Sequence, residues 1–254
     1  MTNVEKKLAQ SLSSETTELI PYLPYLLQDL FELGSSPKDM LEIIQKNIPL
    51  NKPLRILDLA CGKGAVSIHL AKSIPCTIKG IDIMKDFIEV GRSVSKENNL
   101  DRICSFEIND INESVLIEKD YDIVILGAVG SVLGSPKETL EKLSKTIKLS
   151  GYILLDDGYA KEEQPELYFT KSQWLKTIES CGLKLIDEKY FDDSEFKGVL
   201  DEQIRVISKR VNELKERHLE HAHLFDGYLQ SQLDEIEDLT TDVIGVTLFL
   251  KRLP

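Results

Sequence analysis

Residues 54–71 read LRILDLACGKGAVSIHLA. The apolar run 54–59 is the length of a buried strand, and from Ala65 onward apolar residues recur at helical spacing, so 60–64 is a strand-to-helix turn. Gly62 and Gly64 remove side chains from that turn, which lets a ligand approach the backbone and meet the free amides of the helix start. A carboxylate, Asp58, stands at the end of the strand just before it.

Working outward, the same rhythm continues. Strands are expected at 77–82, 103–108, 121–126, 152–155 and 183–191, helices at 65–73, 85–97, 136–149 and 171–181, and a last strand at 242–251. Such alternation predicts an α/β fold, a doubly wound and mostly parallel Rossmann-like sheet with helices on both faces. Ahead of it, 18–33 and 37–48 read as two helices separated by the turn GSSP, giving an N-terminal helical cap over 1–50. The core then comprises 51–191 plus 239–254. Between them, 192–238 is a charged stretch with helical apolar spacing, an insertion expected to serve as a lid or a dimer arm.

Composition narrows the function classes. The chain has 254 residues, 42% hydrophobic and 29% charged, enough to bury a full core. Its 43 acidic and 31 basic residues leave a net charge of −12, which argues against a phosphate-backbone binder. No apolar run reaches the eighteen or so residues that span a bilayer. The start, MTNVEKKLAQ, lacks a signal peptide's apolar centre, so a cytoplasmic protein is expected. Cys61, Cys76, Cys104 and Cys181 are widely separated and read as reduced core residues; no metal site is expected.

In open α/β sheets, ligands bind beyond the carboxyl ends of the strands where the strand order reverses. That rule selects 58–64, Asp82, Asp110 and 126–130. An acid after the second strand, Asp82, suits the two hydroxyls of a ribose. Asp110 suits the exocyclic amine of an adenine, with Ile83 and Ile111 as apolar faces for the ring. Together these describe a nucleoside.

LDLACGKG at 57–64, GID at 80–82, NDI at 109–111, YDIVILGAVG at 121–130 and IKLSGYILLDD at 147–157 occur in an order and spacing that resembles the class I S-adenosylmethionine-dependent methyltransferases. The resemblance covers about 54–190 and the final strand. Ala60 replaces the first glycine of the family's DxGCGxG pattern, and Leu149, Ser150 and Gly151 stand where proline-glycine-glycine is usual. The resemblance implies an antiparallel last strand, S-adenosylmethionine as donor and S-adenosylhomocysteine as product. It also implies that Ala60, Cys61 and Gly62 lie against the donor's methionine part, and that Asp58 and the carbonyls near Gly127 and Ala128 hold its ammonium.

A nicotinamide-dependent oxidoreductase fits less well, because a GxGxxG frame starting at Gly62 places Ser67 at the third glycine. A non-catalytic sensor or scaffold with the same cofactor fold is a further alternative. Methyl transfer is a direct displacement that depends largely on alignment, so its catalytic residues leave few marks. Asp156, Asp157 and Tyr159 follow the fifth strand beside the expected methyl position, with a solvated turn around Gly158 as the competing role for the aspartates. His218 and His221 would share a helix face, with Glu220 and Asp226 nearby, and offer a metal ligand or a base, an exposed helix surface being the competing role. Catalytic candidates are therefore Asp157, Tyr159 and His218. The expected partner is a small-molecule acceptor, with no nucleic acid or membrane and a homodimer through the insertion.

Overall fold

The computed structural model describes residues 3–14, 16–161 and 168–253. Among them, β1 (Leu54–Leu59), β2 (Cys76–Asp82), β3 (Cys104–Ile108), β4 (Tyr121–Leu126), β5 (Ile147–Ala160), β6 (Leu183–Tyr190) and β7 (Val243–Arg252) form one seven-stranded sheet in the order β3-β2-β1-β4-β5-β7-β6. β1 to β5 pair in parallel, while β7 runs antiparallel to β6. The strand order reverses between β1 and β4, the switch point at which a ligand crevice opens.

Strand alternation sorts the side chains onto two faces. Ile56, Ile78, Ile123, Ile125, Leu154 and Phe249 pack on one face with residues of α3 (Pro37–Asn47), α4 (Ala65–Ser73) and α5 (Lys85–Glu97). Leu57, Leu59, Val124, Leu126, Ile153 and Leu155 pack on the other. There they meet α6 (Ile111–Ile117), α7 (Pro136–Ser144) and α8 (Lys171–Ser180) through residues such as Val115, Leu140 and Trp174. Each fully buried aliphatic side chain contributes about 1.5–3 kcal/mol, so the two clusters fix which face of each strand points where.

The chain divides into two compact units. The sheet unit comprises residues 32–190 and 245–254. The other comprises 1–31 and 191–244, and contains α1 (Asn3–Ser11), α2 (Leu23–Leu26), α9 (Asp193–Arg217) and α10 (Ala222–Thr241). On α9, Leu200, Ile207, Val211 and Leu214 are buried at spacings that keep them on one stripe. Arg210 of α9 forks onto Asp29 at 2.6 and 2.8 Å, and Tyr25 donates to Glu213 at 2.5 Å. These bonds tie the N-terminal segment to α9 within that unit.

Three local expectations change. The stretch 18–33 is not one helix but a 3-10 turn, Thr17–Tyr22, followed by the four-residue α2. Pro21 and Pro24 each lack an amide and disfavour helical backbone in the residue before them. The helix from Pro136 ends at Ser144, and β5 starts at Ile147 instead of 152. Thr146 closes that helix by donating to the Leu143 carbonyl at 2.8 Å, and a register shift in the β4–β5 pairing accommodates Ser150 at φ +64°. In 192–238 the helix breaks at His218, whose φ and ψ are −135° and 67°.

Candidate active site

The turn after β1 has the shape its residues require. Ala60, Gly62 and Gly64 have φ of +53°, +53° and +79°, and Gly64 caps the start of α4, where its carbonyl accepts from Ile68 at 2.9 Å. A Cβ on Gly64 would stand 2.4 Å from the Phe106 ring, so the turn also needs glycine there for space. Cys61 is pinned through its amide to the Ile81 carbonyl at 3.0 Å. Burial pushes its thiol pKa up, which fits a reduced, unreactive cysteine.

Asp82, at the end of β2, holds this turn from below. One oxygen accepts the Gly62 amide at 2.8 Å and the other the Met84 amide at 2.8 Å. Burial raises its pKa, while the amides of Met84, Gly62 and Ile83 pull it down. Asp58 is buried at the end of β1 and accepts a 2.6 Å bond from Ser67 of α4. Its pKa is pushed up to about 7, chiefly by burial, with the negative charges of Asp82 and Asp156 adding to the rise. Ser67, the residue that breaks a GxGxxG frame, is thus the hydroxyl that orients the acid. Nothing in its spacing announced that role.

Further along the strand ends, Asp110 caps α6, its side chain accepting from the Asn112 amide at 2.8 Å. Ile83 is half-buried and Ile111 is buried. At the end of β4, Gly127 faces Ser35, and a Cβ on Gly127 would lie 2.0 Å from the Ser35 hydroxyl. Ala128, at φ +38°, is exposed. The ten residues expected at the donor site all lie at or next to the carboxyl ends of β1 to β4. The segment 33–35 packs there as well, with Leu33 against Gly62 and Ser35 against Gly127, a contribution hidden by its distance in sequence.

The catalytic candidates separate. Asp156, Asp157 and Tyr159 lie within β5 and form no turn around Gly158. Tyr159 is buried and donates to Glu188 at 2.8 Å, and Glu188 is also bound by Lys171 and Tyr190. The Tyr159 phenol pKa is raised far above normal by burial and by Glu188, so it is a core tie between β5 and β6. Asp157 accepts the Gly158 amide at 2.7 Å, and burial lifts its pKa to about 6. His218 belongs to the helical unit, where it packs edge-on to Tyr22 at 5.4 Å between ring centres. Because α9 stops there, His218 and His221 do not share a helix face. Among the described residues no group of three or more His, Cys, Asp or Glu could hold a metal ion.

Asp156 is different. It is 7% exposed, and strand alternation points it to the same face as Asp58. One oxygen accepts from Thr247 of β7 at 2.6 Å, and no donor completes a hydrogen bond to Oδ2. Its pKa is pushed up to about 6, first by burial and also by the charge of Asp39, against the pull of the Ser35 and Thr247 hydroxyls. The charges that raise these acids are all negative, so a cation beside them would be stabilised.

Residues 50–221 match the model of a family described as a methyltransferase domain. A malonyl-acyl-carrier-protein O-methyltransferase of Halalkalibacterium halodurans is 31% identical over 160 residues, 59% of this chain and 55% of that protein. A ribosomal protein L11 methyltransferase of Dictyoglomus thermophilum is 27% identical over 62% of this chain and 47% of its own length. The chain thus spans about half the length of these curated relatives. A methyltransferase structure from Geobacter sulfurreducens, described as dependent on S-adenosylmethionine and bound to S-adenosyl-L-homocysteine, superposes with a TM-score of 0.74. It is 15% identical and covers 90% of this chain and 96% of that one. The cyclase SpnF superposes at 0.71, with 13% identity over 94% and 97% of the two chains. No described helix is long and apolar enough to cross a membrane.

Proposed function

Because the chain belongs to the methyltransferase-domain family, with the sheet order and strand-end acids described above, we propose that the protein takes S-adenosylmethionine as donor and methylates a small-molecule acceptor. S-adenosylmethionine supplies an electrophilic methyl group on a positively charged sulfur, and S-adenosylhomocysteine is the product. The observation that carries this reading is Asp58, a buried carboxylate at the switch point, raised to about 7 among other acids. Such a group suits a ligand bearing positive charge. Asp82 and Asp110 stand where a ribose and an adenine are held, Ile83 and Ile111 flank them, and 60–62 with Gly127 and Ala128 form the backbone that receives the amino-acid end. Asp82 is central twice over, since it also sets the position of the Gly62 amide.

The names of the relatives span a carrier-protein substrate, a ribosomal protein and an alkaloid N-methyltransferase, so the acceptor is chosen by this chain's own site. A small acceptor accords with a net charge of −12, which disfavours nucleic acid and anionic membrane surfaces. The same reading places the protein in the cytoplasm, with the helical insertion as the surface for a homodimer. A cyclase shares the fold, so fold alone does not fix methyl transfer, and a non-catalytic sensor or scaffold with the same cofactor fold is the second reading.

A thermal-shift titration with S-adenosylmethionine, S-adenosylhomocysteine and NAD tests the proposal. A ligand at a hundred times its dissociation constant stabilises the folded state by about 2.7 kcal/mol. Both sulfur nucleosides are expected to stabilise the wild type and to lose that effect in Asp82→Ala. Stabilisation by NAD alone would refute the donor assignment.

A further inference from the structure

We propose that Gly34 and Ser35 are positioning residues for the amino-acid end of the donor: residues 33–35 form a strap that holds the backbone at Gly62, Gly127 and Ala128 in the shape that receives it. The inference rests on the donor reading above and adds a part of the site that no strand end supplies. Three observations carry it.

First, three consecutive residues of the strap meet three of the positions that the donor reading assigns to the amino-acid end. A Cβ on Gly62 would lie 3.2 Å from Leu33 Cδ1, a Cβ on Gly34 would lie 2.6 Å from that of Ala128, and a Cβ on Gly127 would lie 2.0 Å from the Ser35 hydroxyl. Gly62 follows β1, whereas Gly127 and Ala128 follow β4. These two strands are neighbours at the point where the strand order reverses, so the strap bridges the switch point. Asp82 and Asp110, the acids suited to the nucleoside, end β2 and follow β3, on the other side of β1.

Second, the backbone under the strap needs outside support. Ala128 has φ +38°, a conformation that an alanine keeps only where its surroundings hold it. Gly34 is the residue that lies on it. Gly34 has φ +99°, which glycine adopts freely, and its missing side chain is what lets the strap reach the Ala128 methyl group. A side chain at 34 would force the two apart.

Third, the strap is anchored and latched. The next residue, Ser36, caps α3, its side chain accepting from the Asp39 amide at 3.2 Å. Met40, Ile43 and Ile44 of α3 are buried on the sheet, so that end of the strap is fixed to it. The Ser35 hydroxyl is a hydrogen-bond partner of the Asp156 carboxylate on β5, and Thr247 of β7 donates to Oδ1 of the same group at 2.6 Å. Gly127 is thereby tied through Ser35 and Asp156 to the two strands beyond β4. Backbone held in place before a ligand arrives loses little freedom on binding it, which favours affinity.

The test separates the two halves of the donor. Calorimetric titrations of the full-length protein compare S-adenosylhomocysteine with 5′-methylthioadenosine, which keeps the nucleoside and the sulfur and lacks the amino-acid end. Ser35→Ala removes the hydroxyl and keeps the Cβ, and is expected to weaken S-adenosylhomocysteine about fivefold, in line with the loss of one hydrogen bond. Gly34→Ala, which pushes the strap off Ala128, is expected to weaken it about tenfold or more. Both variants should bind 5′-methylthioadenosine within about twofold of wild type, which also reports that they are folded; if Gly34→Ala does not fold, Ser35→Ala decides alone. Equal losses for the two ligands would reduce the strap to a structural element and overturn the proposal. Unchanged or tighter binding of S-adenosylhomocysteine by Ser35→Ala would overturn it as well. A wild type that binds neither ligand would instead refute the donor reading itself.

Discussion

Replacing Gly64 with alanine tests how the glycine turn is held. Gly64 has φ +79°, a conformation that costs an L-residue about 1–2 kcal/mol. Its new Cβ would stand 2.4 Å from the Phe106 ring. The ring cannot retreat freely, since a Cβ on Gly80 or Gly91 would already meet it at 2.8 and 3.2 Å. Overpacking of this kind costs a further 1–3 kcal/mol or so, for a total of about 2–5 kcal/mol. That is a large part of the stability of an ordinary domain, about 5–15 kcal/mol. The chain's single tryptophan, Trp174, is buried in the sheet unit, so its fluorescence during urea unfolding reports on the affected unit. Phe106→Leu in the same chain is expected to relieve the steric part and leave the backbone part, so the two substitutions should not add. A Gly64→Ala cost under about 1 kcal/mol, or costs that add to within about 0.5 kcal/mol, would refute the account of Phe106 as the floor of the turn.

Two further outcomes follow from the acids and from Tyr159. The folded-state pKa of Asp58 is raised from 3.8 to about 7, so its protonated form is favoured by folding. Stability from this group is full below pH 4 and is lost as pH rises through 7, by an amount on the order of 4 kcal/mol. Asp58→Asn should flatten that fall in urea titrations of the ligand-free protein from pH 4.5 to 7.5, and equal slopes for variant and wild type would contradict the assignment. Tyr159→Phe removes a tie to Glu188 and should cost about 1 kcal/mol of stability. It should leave methyl-transfer rates within twofold of wild type, and a hundredfold loss would return Tyr159 to the chemistry.

Much of the sheet could be read from local pattern. Leu54–Leu59, Ala65–Ser73, Lys85–Glu97 and Tyr121–Leu126 occupy the expected ranges because each is a short apolar or amphipathic run bounded by turn residues. The placement of the expected donor-site residues at strand ends was legible for a related reason: the fold brings strand ends together, and an acid at a strand end stands out. What escaped was tertiary. That Ser67 donates to Asp58, or that Ser35 lies on Gly127, depends on how a helix packs on a sheet. Which faces Asp156 and Asp157 point to was not legible, because neighbours in a strand face opposite ways and only the strand register says which way. The helix expected over 18–33 does not form because Pro21 and Pro24 interrupt a segment whose apolar periodicity alone would suit a helix.

The pairing of β6 with β7 sets Tyr190 opposite Val246, and the helical unit's residues 191–244 leave and re-enter the sheet unit between those two positions. Topologically, the edge of the sheet is an antiparallel hairpin whose turn has grown into a structure of its own. Closing a longer loop adds only about 0.6 kcal/mol per doubling of its length, so the hairpin tolerates such an excursion at small entropic cost. The same two rungs could carry a tight turn or a different helical pair without altering any strand register. The helical unit can therefore change in length or sequence while the pairing of the two strands stays as it is.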